Sequence, residues 1–254
     1  MGSFAVRNRW RGAVLPLAAF VLVEVLMRIL GVASDGLALP SEVVRALTAD
    51  FADASIFLAT LQTLGCALAG LAIGGGAGFL VGLLLGGSRV AAGIASIPVE
   101  TLRHMPPVAL IPIATLVLGL GARMEMAIVS FTCFWPMLLL TRDAVLGVDG
   151  KLLEVARILR LGPLATLRKI VLPAASSRIA VAVRLSAGIS LIVAITTEIA
   201  ANPLGLGYGM VRAQQELQPA HMYGYLAWLA VLGLALNTGL SVLANRMFPD
   251  RRSR

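Results

Sequence analysis

Long apolar runs, separated by short intervals rich in charge, glycine or proline, dominate this chain. A helix needs about 20 mostly apolar residues to cross the hydrocarbon core of a bilayer. About six runs meet or approach that length, near 12–33, 56–86, 95–121, 125–141, 178–200 and 223–245. The pattern predicts an all-α, polytopic membrane protein. The third run carries Pro98, Pro106, Pro107 and Pro112, which predicts a kinked or broken span whose freed carbonyls neighbouring helices satisfy. The second contains GGGAGFLVG, Gly74 to Gly82. Its small residues predict close approach of another helix; a phosphate loop would need a following Lys-Ser or Lys-Thr. The first run follows Arg7, Arg9 and Arg11 and carries Glu24 and Arg28. It is longer than a signal-peptide core and lacks a clear small-residue cleavage site, so we read it as an uncleaved first span.

One stretch departs from this pattern. Residues 142–177 form the only long polar connection, and within it EVARILRLGPLATLRKIVLPAA, residues 154–175, has helical periodicity. Asp149 is placed to cap a first short helix, with Leu152, Leu153, Val155, Ala156, Ile158 and Leu159 as its apolar positions. Gly162 and Pro163 mark a bend. Pro163 then opens a second helix bearing Leu164, Leu167, Ile170 and Val171, and Pro173 is expected to end it before the fifth span. Such an elbow has two readings: an amphipathic pair lying on anionic lipid headgroups, or a knob on which a cytoplasmic partner docks.

Composition agrees with the hydropathy pattern: 58% of residues are hydrophobic and 13% charged, with a mean hydropathy of +0.89. The formal charge of +8 would fit nucleic acid, anionic lipid or membrane orientation. Its distribution selects orientation. With the N-terminus inside, Arg7, Arg9, Arg11, Arg89, Arg142, Lys151, Arg157, Arg160, Arg168, Lys169, Arg246, Arg251, Arg252 and Arg254 are cytoplasmic, and Arg178 sits at the membrane edge. Arg45, Arg123 and Arg212 are outside, where Asp35, Glu42, Asp50 and Asp53 crowd the first loop. This is the positive-inside asymmetry, with both termini cytoplasmic, and no nucleic-acid partner is needed. Cys66 and Cys133 fall inside apolar runs, suggesting neither a disulfide framework nor a metal site.

Charges inside a bilayer cost about 2.5–3.5 kcal/mol at a helix centre on insertion scales, so each needs a reason. Glu24 and Arg28, four apart, neutralise each other on one helix face. Glu100, Arg103 and His104 precede the proline pair, where Arg103 either snorkels to headgroups or meets solute. Arg184 either attracts an anion or pairs with a neighbouring carboxylate, and we favour pairing. Thr196, Thr197 and Glu198 precede the turn-rich ANPLGLGYG, so Glu198 is either a hydrated interfacial carboxylate or part of a gate. His221 reads as a lone interfacial histidine. His104 and His221 fall on opposite faces of this topology, so no acid, base and nucleophile set assembles as a membrane enzyme would require.

Glu154, Ala156, Leu159, Ile170, Leu172 and Pro173 stand at the spacing of the loop motif of type I ABC importer permeases, which this chain resembles. The stretches MPPVALIPIATLVLGLG, FWPMLLLTRDAVLGVDGKLLEVAR and TEIAANPLGLGYGM look like those of nitrate, sulfonate and taurine importers, and the resemblance covers roughly residues 50 to 250. It implies a tail, first span and external loop over 1–55, and a transmembrane domain over 56–250 with its coupling loop at 142–177. In that family the loop is a coupling helix seated in a groove of a separate ATPase. Here its residues would be Glu154, Ala156, Leu159, Gly162, Ile170, Leu172 and Pro173.

The resemblance further implies a permease subunit of the bacterial inner membrane, working with two ATPase copies, a periplasmic or lipid-anchored solute-binding protein, a second permease copy in a homodimer, and membrane lipids. Arg103, Arg184, Thr197 and Glu198 would line the path. The solute implied is a sulfonate, taurine or nitrate type of anion, with a neutral vitamin precursor as the alternative. Against the resemblance stands a passive channel with a lipid-bound loop. The sequence has no Gly-x-x-x-x-Gly-Lys-Ser/Thr loop, so the chain would bind no cofactor and ATP would be used by the partner. Two departures stand out. Val155 replaces an alanine, and Arg160 stands where the family usually has glycine, with Gly162 two residues later, so that either the elbow bends later or the partner's pocket differs.

Overall fold

The computed structural model describes residues 18–31 and 36–247, the side chains of 240, 241 and 243–247 excepted. Arg7, Arg9, Arg11, Asp35, Arg251, Arg252, Arg254, the side chain of Arg246, the ends of the first span and both termini lie outside the described residues. Every element described is a helix: α1 (18–29), α2 (Pro40–Ala52), α3 (Ser55–Gly87), α4 (Arg89–Leu102), α5 (Ile111–Leu118), α6 (Ala122–Leu146), α7 (Gly150–Ile158), α8 (Pro163–Thr166), α9 (Leu172–Ala200), α10 (Gly205–Gln215) and α11 (Pro219–Met247). Helices α3, α6, α9 and α11 are each long and apolar enough to span a bilayer.

Glycines recur every fourth residue along α3, and that stripe is the seam with α6. A methyl group on Gly70 would meet Val129 Cβ at 2.6 Å, and one on Gly82 would meet the Leu138 carbonyl at 2.6 Å. Between them Gly74 faces the Ser130 carbonyl and Gly78 the Phe134 carbonyl, and Gly86 rests on Val145. Lipid is as apolar as leucine, so such helices gain by dispersion contact at close range rather than by leaving water. The glycine run also carries a π-helical turn, Leu71–Gly75. Helix α9 lies along α6, enclosing Ala67, Val129, Cys133 and Ala194.

The third run is broken, as its prolines predict. Helix α4 and the segment Pro107–Leu118 meet at 83°. Only the Pro106–Pro107 pair breaks the chain. Pro107 pushes Pro106 into an extended conformation, φ −67°, ψ 127°. Pro98 stays inside α4, and Pro112 sits in the first turn of α5, where its missing N–H costs nothing.

Glu24 and Arg28 pair at 2.5 Å, as their spacing predicts. The same carboxylate accepts the Ser41 hydroxyl at 2.9 Å and the Ser41 N–H at 3.0 Å, tying α1 to the start of α2.

Candidate functional site

The elbow lies between the end of α6 and the start of α9. Asp149 caps α7, its carboxylate accepting the Lys151 N–H at 2.9 Å. At the other end Arg160 N–H donates to the Arg157 carbonyl at 3.0 Å and Leu161 N–H reaches back to Ala156 at 3.0 Å. This paired closure requires a left-handed residue between helix and exit, and Arg160 supplies it with φ +48°. The bend therefore begins two residues before the Gly162–Pro163 position that the sequence suggests. Two recovered hydrogen bonds offset a left-handed penalty of about 1–2 kcal/mol. Gly162 and Pro163 open the next turn, the Gly162 carbonyl accepting Thr166 N–H at 2.9 Å.

Pro173 does not end the second helix. From α8 the chain passes through a π-helical turn, Leu167–Val171, directly into α9, with Pro173 in its first turn. The wider turn accommodates the proline ring and the absent N–H. The elbow turns Ala156 and Val171 inward, at 3% and 8% exposure. Glu154, Leu159, Gly162 and Pro173 are exposed, and Ile170 and Leu172 are half-buried. Ile158 is 79% exposed and Leu164 67%, so the outer surface of the elbow is apolar as well as charged.

A second polar constellation occupies the opposite end of the bundle. Glu198, near the end of α9, is 1% exposed. It accepts the Thr63 hydroxyl at 2.7 Å and the Gly207 N–H at 2.7 Å, while Leu206 N–H donates to the Thr63 oxygen at 3.0 Å. Gly205, at φ +91°, passes against the carboxylate where a side chain would collide with it. Beside this latch Glu125, fully buried in the first turn of α6, accepts Asn202 Nδ2 at 2.5 Å. Thr197 is buried, its hydroxyl donating to the Val193 carbonyl at 2.8 Å.

The same end of the molecule opens into a cleft of 630 Å³ whose lining includes Asp53, Gln62, Tyr208, Arg212, Glu216 and His221. His221 is not alone: its Nδ1 lies 2.9 Å from an oxygen of Asp50, itself 6% exposed. Arg212 pairs with Glu216 at 2.7 Å. The Ser55 N–H beside Asp53 holds that carboxyl below the usual carboxylate range.

The family described as "Binding-protein-dependent transport system inner membrane component" matches residues 74–253, which include the elbow and every member of the second constellation except Thr63. The chain belongs to this family. It is similar to a protein of Bacillus subtilis named as an aliphatic sulfonates transport permease, SsuC, with 28% identity over 184 residues, 72% of this chain and 67% of that one. Similarity extends to the bicarbonate transport system permease CmpB of Synechocystis, 25% identical over 200 residues, covering 78% and 71% of the two chains. The nitrate import permease NrtB of Leptolyngbya laminosa is 24% identical over 176 residues, 69% and 63% of the two. Among solved structures, an inward-facing MetNI methionine ABC transporter chain shares the fold at a TM-score of 0.62 and 18% identity, covering 83% of this chain and 99% of that one.

Within this binding-protein-dependent permease, the remaining predicted residues are dispersed. Arg103 lies at the break after α4 and forms two bonds to Glu100, at 3.0 and 2.5 Å. Arg184 is half-buried on α9 with its Nε enclosed and without a hydrogen-bond partner, and no carboxylate among the described residues pairs with it. That corrects the expected pairing. Of the residues expected along a path, the consecutive Thr197 and Glu198 are both buried, whereas Arg103 and Arg184 lie apart from them in separate surroundings. Sequence reasoning missed Glu125, Asn202 and Thr63. The only available signal was a carboxylate at the first turn of an apolar run and an asparagine beside the fifth span.

Proposed function

We propose that this chain is the membrane-spanning subunit of an ATP-binding-cassette importer, moving a small anion of the sulfonate, taurine, nitrate or bicarbonate kind. The observation that carries the reading is the elbow: α7, capped and closed, with Glu154 and an apolar surface exposed, followed across the Arg160–Gly162 bend by α8, which runs without a break into α9. A separate cytoplasmic ATPase seats there, through Glu154, Leu159 and the Leu172–Pro173 exit, and uses the ATP. Ala156, Gly162 and Ile170 hold the elbow's shape. Contacts that differ between two states of the ATPase then shift the permease between inward- and outward-open forms. Two permease copies in the inner membrane, with the elbows and both termini cytoplasmic, receive solute from a periplasmic or lipid-anchored binding protein. The names of the relatives support the anion class.

The test is to solubilise membranes containing the tagged chain in mild detergent and compare what accompanies the intact protein with what accompanies a Glu154→Lys, Leu172→Asp variant. An ATPase that comes only with the intact chain is the expected result. Two folded proteins that both purify alone would favour a passive channel with a lipid-bound elbow.

A further inference from the structure

The elbow carries more positive charge than its own fold can use. Lys151, Arg157, Arg160, Arg168 and Lys169 are all exposed, and none forms an ion pair among the described residues. Glu154 is likewise exposed and unpaired, although it stands three residues from both Lys151 and Arg157. The nearby carboxylates are committed elsewhere: Asp149 caps α7, and Asp143 pairs with Arg142 at 3.0 Å.

Arg160 is the outlier within this group. A β-carbon in the left-handed region is unfavourable, and glycine would close α7 with the same two hydrogen bonds at less cost. Strain of this kind at an exposed tip is a reason to look for a partner that uses the side chain. Arg157, one turn earlier, is also exposed, so two guanidinium groups belong to the last turn and exit of α7, next to exposed Ile158 and Leu159. A guanidinium binds a carboxylate through two parallel hydrogen bonds, which demands a fixed geometry.

We infer that Arg160 and Arg157 form a carboxylate-reading clamp that selects an ATPase whose docking groove has an acidic rim around an apolar floor. The inference rests on the docking reading above. It goes beyond that reading by specifying the chemistry of the groove and the residue that discriminates between ATPases. A fluid anionic headgroup layer would also attract the cations. It would repel Glu154, however, and it has no use for a tip held in one position by a two-bond closure. A rigid groove can place its carboxylates opposite Arg157 and Arg160 and away from Glu154, which accounts for both.

The test uses the full permease in nanodiscs of phosphatidylcholine alone, with the ATPase subunit recovered alongside the intact chain. Intact permease should bind with an affinity that falls as salt rises. Arg160→Glu should weaken binding by about tenfold or more. Arg160→Gly, which suits the left-handed position, should close α7 normally and still lose part of the affinity and of the salt dependence. A lysine replacing one groove carboxylate of the ATPase should restore binding to Arg160→Glu. If both Arg160 variants bind as the intact chain does while Glu154→Lys, Leu172→Asp does not, docking stands and the acidic clamp is wrong. If that double variant also binds normally, the docking reading itself fails. A defect in Arg160→Glu that appears only after phosphatidylglycerol is added would assign the clamp to lipid and overturn the inference.

Discussion

Asn202 donates from Nδ2 to Glu125 Oε2 at 2.5 Å, joining the loop after α9 to the first turn of α6 across 77 residues of sequence. Both side chains are almost completely buried. Replacing Asn202 by leucine removes the donor and leaves Glu125 enclosed without one, a loss of about 1–3 kcal/mol. Asn202→Asp should be worse, because it sets a second carboxylate against the first. Thermal unfolding of the purified permease in detergent would rank them: intact above Asn202→Leu, and Asn202→Asp lowest.

Glu198 accepts two donors, so its replacement has a graded outcome. In Glu198→Ala the Thr63 hydroxyl and the Gly207 N–H lose their shared acceptor, and the segment around Gly205 loosens. Glu198→Gln keeps one acceptor and turns an amide N–H₂ toward the other donor, so its effect should be intermediate. Hydrogen exchange of the backbone near 203–209 should rise in the order intact, glutamine, alanine, while exchange in the centre of α6 should change little.

The α3 glycines allow a matched comparison. Gly74→Ala places a methyl group on the Ser130 carbonyl, whereas a methyl group on Gly76 meets nothing within 4 Å. Overpacking of this kind costs about 1–3 kcal/mol or more, and here the obstacle is backbone. Gly74→Ala should sharply reduce the yield of monodisperse permease, and Gly76→Ala should leave it unchanged. Equal yields would mean that α3 and α6 are not in backbone contact.

Arg160→Gly should leave the melting temperature of the isolated permease unchanged or slightly raised, since glycine carries no penalty at φ +48°. A fall in melting temperature would show that the arginine side chain, rather than the closure beneath it, holds the elbow together.

How far the sequence revealed this molecule depended on whether a signal was periodic or local. The glycine stripe and the apolar spans repeat at helical spacing, so both the spans and the close α3–α6 approach were legible. The proline break was legible as well, although only an adjacent pair, and not Pro98 or Pro112, supplies the conformational conflict that turns the chain. The end of α7 was misplaced because glycine is the usual marker of a left-handed exit, and here an arginine occupies it. Pro173 was misread because a π-helical turn, which sequence does not announce, can admit a proline that an α-helical register would reject. Asn202 with Glu125, and Thr63 with Glu198, were invisible for a different reason: each pair is brought together only when α3, α6 and α9 pack.

The notched seam between α3 and α6 also limits how this protein can move. Side chains that interdigitate can slide by changing rotamers, but a carbonyl lodged against a glycine has nothing to rotate. The two helices are therefore geared tooth to tooth and turn as one beam. Changes in the shape of the molecule fall to its looser joints, foremost the right-angled strut of α4 and α5, where a proline pair replaces continuous helix.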